Sequence, residues 1–261
     1  MTIPEWLKTL LELTAVRMQK PPLFGGFHIA AALLSVLIPF ILAKRYPCTE
    51  RDALIRRLHR CGWILAGLEL YKQLFLYVVV NNMHYNFWYF PFQLCSMAMY
   101  LCILLPHVPH SLQDTILTFL FDFSLPGALL ALAVPEDFLR EYLSLTLHGF
   151  VWHAILVYIA LSVLYSGFGD FSRRGYFRAA GLYLGLALCA VGLNAVLQPL
   201  AVYGGSPDLF YLSPYIKTGQ IFFRDIAERW GILPELVIYV TLYLLLCALF
   251  HMGRRRFRPV S

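Results

Sequence analysis

Long apolar runs alternate with short polar stretches along almost the whole chain. Seven runs, each of about 17 to 23 residues, are long enough as helices to cross a hydrocarbon core of roughly 30 Å. They cover approximately Phe24 to Ala43, Cys61 to Val80, Trp88 to Leu105, Thr115 to Val134, Ser144 to Tyr165, Arg178 to Leu200 and Leu233 to Met252. The pattern predicts an all-α membrane protein, a polytopic bundle of about seven transmembrane helices forming one domain over residues 23–253. Before it, residues 1–22 read as an amphipathic segment lying in the membrane interface. Thr2 and Glu5 have capping-box spacing, and Ile3, Trp6, Leu7, Leu10 and Leu11 form one stripe opposite Glu5, Lys8 and Glu12. No basic start followed by an apolar stretch and a small-residue site marks a cleavable signal there. Between the sixth and seventh runs, Phe223, Ile226, Ala227 and Trp230 oppose Arg224, Asp225 and Glu228, a second interfacial stripe. Residues 254–261 read as a basic cytoplasmic tail.

Composition agrees and adds polarity. Hydrophobic residues make up 59% and charged residues 14%, too few charges for a water-facing surface over most of the length. Basic residues set the orientation, because cytoplasmic loops carry the excess of Lys and Arg. The first, third and fifth loops with the C-terminus hold thirteen, and the opposite face holds seven. The N-terminus is therefore expected outside and the C-terminus in the cytoplasm. The net charge of +6 then reads as attraction to anionic lipid at the basic cytoplasmic loops, and not as nucleic-acid binding, since the clusters adjoin spans. Cysteines at 48, 61, 95, 102, 189 and 247 include no CxxC pair, so neither a disulfide framework nor a metal site is expected. No cofactor is implied, and the oligomeric state is left open.

With alternating span directions, residue counts convert to depth. Cys95 falls roughly 10 Å from the outer end of its span, His28 roughly 6 Å and His153 roughly 13 Å. Gln73 and Asn194 come about seven and six residues from the outer ends of theirs. Five spans thus place a polar group in the outer half, where such groups are costly unless they face other helices or a cavity. Glu69 lies nearer the middle of the second span, three residues from Lys72, and Gln93 lies two residues before Cys95.

A thiol beside a histidine is a nucleophile and base pair, and a helix start further favours the thiolate. Cys95 comes soon after Pro91, close to the start of the third span, where this effect applies. His148 and His153 are five apart and point in different directions around a helix, and His153 is the better placed base. Gln93 or Asn194 could donate to an oxyanion. No acid is positioned by the sequence to orient His153. Each group also has a plain structural reading: Cys95 as a small hydrophobe, Gln93 and Asn194 as interhelical hydrogen bonds, Glu69 and Lys72 as an ion pair without chemistry.

The stretch Phe90-Pro-Phe-Gln-Leu-Cys-Ser96, the run Gly127-Ala-Leu-Leu-Ala-Leu-Ala-Val-Pro-Glu136 and the span holding His153 resemble the YwaF-like bacterial membrane proteins. That family is similar to the eukaryotic transmembrane protein 164. Its members carry a Leu-Pro-Leu-His-Leu-Cys-like motif at the third span and a histidine in the region matching Val151-Trp-His-Ala154. The positions of His28 and Asn194 also resemble family positions. The eukaryotic branch is regarded as a phospholipid acyltransferase using Cys and His, and is similar to androgen-induced-type lipid hydrolases. The resemblance therefore implies Cys95 as nucleophile, His153 as base, membrane lipids as substrates and a bacterial inner membrane as location. Two departures stand out: Gln93 replaces the usual bacterial His, and Ala154 replaces a common Gly.

Two functions are in play on this reading. One is a lipid acyltransferase or lipid acyl hydrolase built on Cys95 and His153, supported by His28, Glu69, Gln73, Gln93 and Asn194. The other is a non-enzymatic transporter or lipid-binding membrane protein. Polar groups are sparse in the inner halves of the spans, Asp122 excepted, which favours a site over a path.

Overall fold

The computed structural model describes residues 4–201 and 205–254. The helices in chain order are α1 (Glu5–Leu13), α2 (Gly26–Arg45), α3 (Arg51–Phe75, extended by a π-helical turn Leu76–Val80), α4 (Leu94–Leu104) and α5 (His110–Asp122). They continue as α6 (Ser124–Ala133), α7 (Leu143–Ser166), α8 (Arg173–Leu197), α9 (Ile221–Trp230) and α10 (Ile232–Arg254). Among the described residues, six helical segments are long and apolar enough to cross a membrane, α5 and α6 counting as one. This is a polytopic helical bundle.

The third span departs from expectation. Its helix begins at Leu94 instead of near Trp88 and ends with a 3₁₀ turn at His107. At 1.5 Å per residue this falls short of the roughly 30 Å core. The cause is local chemistry: Pro91 supplies no N–H and holds Phe90 in an extended conformation, φ −54 and ψ 132. Irregular backbone is tolerated at such depth only when protein satisfies it. Here Trp88 N–H donates to Gly205 O at 2.8 Å, and Tyr89 O accepts from Gln73 Nε2 at 2.5 Å.

The fourth span breaks at Phe123 for a related reason. Pro126 weakens the ladder above it, and Gly127 N reaches Phe123 O only at 3.5 Å. Tyr243 O–H from α10 donates to that carbonyl at 2.5 Å, tying the break to the last helix.

Helix α7 is the hub, packing against α2, α3, α5 and α6. Glycines permit two close approaches. A Cβ at Gly62 would lie 2.9 Å from the Ile103 backbone nitrogen, so α3 and α4 meet there almost backbone to backbone. A Cβ at Gly149 would lie 2.4 Å from the Phe138 ring. The partner at Gly149 is thus a loop side chain.

Both amphipathic helices form. In α1, Leu11 is buried among Phe75, Leu76, Val78 and Leu145, while Trp6, Leu10 and Leu13 are exposed. Thr2 lies outside the described residues, and α1 has Pro4 at its N-cap with no side-chain cap. In α9, Ala227 is buried, Phe223 meets Tyr239 edge-on at 5.0 Å, and Trp230 is exposed.

The last turn of α10 corrects the reading of Arg254 as the first residue of a basic cytoplasmic tail. Arg254 is 1% exposed, with its guanidinium 3.5 Å from the centroid of Phe171 and 5.0 Å from that of Phe121. It donates to Phe168 O at 2.7 Å. One turn earlier, His251 Nδ1 meets Asp122 Oδ2 at 2.7 Å. This buried charged cluster closes the end of the bundle opposite Cys95. Residues 255–261 lie outside the described residues.

Candidate functional site

The site is organised by α3, which packs against both α4 and α7. Cys95 is the second residue of α4, after the extended N-cap Gln93 (φ −84, ψ 160). It therefore lies in the first turn, where unbonded amides favour an anion. Cys102, on the same face, is fully buried against Gly62 and is part of the packing.

On α3, Glu69 and Lys72 form an ion pair at 2.8 Å, and Gln73 Nε2 donates to the same Glu69 oxygen at 2.7 Å. Glu69 is 6% exposed, and its second oxygen, Oε2, is buried without a partner. An isolated buried carboxylate is costly, and the lysine offsets part of that cost. Lys72 has a wider role than that pair. Its ammonium lies within electrostatic reach of Cys95, His148 and His153. Reading Lys72 only as the partner of Glu69 missed this, since i,i+3 spacing says nothing of a third and fourth neighbour on other helices.

His153 is 6% exposed and stacks on Phe138 at 4.9 Å. Its Nδ1–H donates to Gly149 O at 2.7 Å, one turn back on its own helix. That bond fixes the tautomer with the lone pair on Nε2, which makes no hydrogen bond among the described residues. A backbone carbonyl thus takes the orienting position for which the sequence supplied no acid. His148 is committed elsewhere: its Nε2 lies 3.1 Å from Leu68 O, and its ring stacks on Trp152. Although 140° apart on a helical wheel, the two histidines both neighbour Lys72. No hydrogen bond joins Cys95 to His153 among the described residues.

Gln93 and Asn194 come together as clamps on one loop. Asn194, fully buried, donates to Leu209 O at 3.1 Å and accepts from Leu209 N at 2.8 Å. Gln93 donates to Asp208 O at 3.0 Å and accepts from Phe210 N at 2.9 Å. Two consecutive peptides are thereby fixed, and Phe210 and Tyr211 follow at φ 59 and 56, a left-handed conformation that costs roughly 1–3 kcal/mol per non-glycine residue. Tyr211 lies within electrostatic reach of Cys95, and its hydroxyl donates to Asp137 Oδ2. Burial, then the Asp137 carboxylate, hold this phenol well above its usual range, so it remains a donor. Asn194→Ala should strand the Leu209 N–H and C=O in a buried position. The expected loss is about 2–3 kcal/mol, read as a lower thermal midpoint.

The loop also carries a titrating group. Asp208 is 1% exposed, and burial pushes its carboxyl up to about 6 against a bond from Ser213 N–H. A carboxyl that is harder to ionise in the folded state binds more protons there than in the unfolded chain between about pH 4 and 6. Folding stability therefore falls as pH rises through that window, and the cost is complete above pH 6. Asp208→Asn should flatten the profile and stabilise the protein at neutral pH by about 2–3 kcal/mol. Thermal unfolding across pH 4 to 7 checks this.

His28 does not join the group. Its Nδ1 accepts from Phe24 N at 3.0 Å, and its Nε2 donates to Leu132 O at 2.9 Å. Both nitrogens are spent, one on the approach to α2 and the other on tying α2 to the end of α6.

Fold and site together define a multi-pass helical membrane protein whose Cys, His and Lys groups gather near one end of the bundle, around α3. The chain belongs to the TMEM164 family, which it matches over residues 23–253, from the approach to α2 to the last turn of α10. No curated protein and no solved structure matches it.

Proposed function

We propose that the chain is a membrane-embedded lipid acyltransferase or lipid acyl hydrolase, with Cys95 as nucleophile and His153 as base. The observation that supports it best is the shared neighbour Lys72. Lys72, paired with Glu69, lies within electrostatic reach of both a first-turn thiol and a histidine whose Nε2 makes no hydrogen bond among the described residues. In the first step the Cys95 proton passes to His153 Nε2, sulfur bonds to the ester carbonyl carbon and the ester C–O bond breaks. The histidine then protonates the leaving oxygen, giving a thioester and a lysolipid. Water or a lipid hydroxyl next attacks the thioester and restores the thiol. Lys72 is suited to stabilise the oxyanion, while the Tyr211 hydroxyl is committed to Asp137. Gln73 holds Glu69 and the irregular turn at Tyr89, and Gln93 and Asn194 hold the Tyr211 loop.

In this reading the Cys95 end faces the outer leaflet of a bacterial inner membrane and the C-terminus faces the cytoplasm, as basic residues favour. The competing reading, a non-enzymatic transporter or lipid-binding protein, draws on the missing bond between Cys95 and His153. Purified protein in nanodiscs with acyl-labelled phospholipid separates them. Label should move to lysolipid or appear as free fatty acid in the native chain and stay in place in Cys95→Ala. Equal turnover in both folded proteins would remove Cys95 from the chemistry.

A further inference from the structure

An open cavity lies at the other end of the bundle, bounded by the α2–α3 turn and the first three turns of α3. It has a volume of about 330 Å³ and is lined by Cys48, Ala53, Arg56, Arg57, Arg60 and Cys61. Three guanidinium groups share it, and no carboxylate lines it.

These arginines differ from their neighbours at the same end. Arg51 pairs with Asp114 at 2.9 Å, Arg178 faces Asp170 at 4.0 Å, and Arg254 is buried against Phe121 and Phe171. Among the described residues, Arg56, Arg57 and Arg60 form no ion pair, even though Glu50 and Asp52 lie close in sequence. Arg57 makes one hydrogen bond, to Tyr46 O at 2.6 Å, which pins the turn and fixes one wall of the cavity. Arg56 and Arg60 are exposed. Like charges held together repel, and an anion between them relieves that cost.

The position selects the kind of anion. The apolar stretch of α3 starts at Cys61, so the cavity straddles the boundary where headgroups lie. Its walls at Cys48, Ala53 and Cys61 are uncharged and small, and its size suits a headgroup. Planar guanidinium forks match phosphate oxygens in pairs. We propose that this cavity binds the phosphate-bearing headgroup of an anionic lipid in the leaflet at the Arg254 end. The site is separate from Cys95 and His153, and it holds lipid without chemistry.

The test is native mass spectrometry of the full chain released from nanodiscs of phosphatidylcholine doped with phosphatidylglycerol. The native chain should retain phosphatidylglycerol. Arg56→Gln with Arg60→Gln, which leaves the Arg57 bond to Tyr46, should lower retention by roughly tenfold to thirtyfold. The single Arg60→Gln variant, at an exposed position, should lower it about fivefold and covers the case in which the double variant folds poorly. Arg173→Gln with Arg174→Gln removes two charges outside the cavity and should leave retention unchanged. Equal loss in that control would reduce the effect to diffuse surface charge and overturn the site. So would full retention in a folded double variant. Complete displacement of phosphatidylglycerol by millimolar inorganic phosphate would assign the cavity to a free anion instead of a lipid. None of these results depends on acyl turnover at Cys95.

Discussion

His153→Ala should lower lipid acyl turnover by roughly 10²- to 10⁴-fold, the range that a positioned general base supplies. His148→Ala should leave most of the activity. The two residues are a stringent pair for comparison. Both lie on α7, both are largely buried and both neighbour Lys72. They differ in which nitrogen is spent. His148 donates Nε2–H to Leu68 O and keeps its lone pair on Nδ1, whereas His153 donates Nδ1–H to Gly149 O and keeps it on Nε2. A general base needs a lone pair that reaches beyond its own helix, and Nε2 lies further from the backbone than Nδ1. His148→Ala should instead show as a modest loss of stability, since its bond to α3 goes. Turnover per folded molecule, normalised to the native fraction by size exclusion, is the quantity to compare. Equal losses in both variants would mean that His153 has been given a role it does not have.

Arg254→Ala should destabilise the fold by about 3–5 kcal/mol while leaving turnover per folded molecule unchanged. The guanidinium is enclosed by Phe121 and Phe171 and bonded to Phe168 O, and Asp122 is its nearest buried counter-charge. Truncation removes a large buried side chain, opens a cavity and leaves the Asp122–His251 pair without a neighbouring cation. This cluster sits at the opposite end from Cys95, joined to it through the packed length of α5 and α10. Thermal unfolding in detergent should therefore shift strongly while the acyl assay does not. A parallel loss of turnover would couple the two ends and contradict their separation.

Much of this bundle was legible in the chain. Continuous apolar runs mark out a polytopic helical bundle and approximate bounds for most of its spans, because nothing else of that length can satisfy its backbone in lipid. The third span misled by its aromatic approach: Trp88, Tyr89 and Phe90 raise hydropathy, while Pro91 stops the helix from forming there. Depth counting brought Cys95, Gln73, His153 and Asn194 into one half of the bundle, yet it carries no information on rotation about each helix axis. Rotation decided the outcome. It turned His28 toward Leu132, aimed Asn194 at the Leu209 peptide and brought Lys72 within electrostatic reach of Cys95 and His153. The clamp at Leu209 could not be read, since its partners are backbone groups in a loop with little pattern of its own. Arg254 was misread for a simpler reason. A run of arginines after an apolar helix looks solvated, and the Phe121 and Phe171 rings that cover its first member lie far away in sequence.

The most direct measurement is intact and peptide mass spectrometry of the protein after incubation with acyl-labelled phospholipid. A Cys95 nucleophile predicts a hydroxylamine-sensitive acyl adduct on the peptide holding Cys95 and on none of the peptides holding Cys48, Cys61, Cys102, Cys189 or Cys247. Cys95 is the cysteine in the first turn of α4 beside Lys72, whereas Cys102 and Cys247 are fully buried and Cys48 and Cys61 lie at the far end. Loss of the adduct together with turnover in folded Cys95→Ala would complete the assignment. Unchanged lipid turnover in that variant, or an adduct on another cysteine, would contradict it.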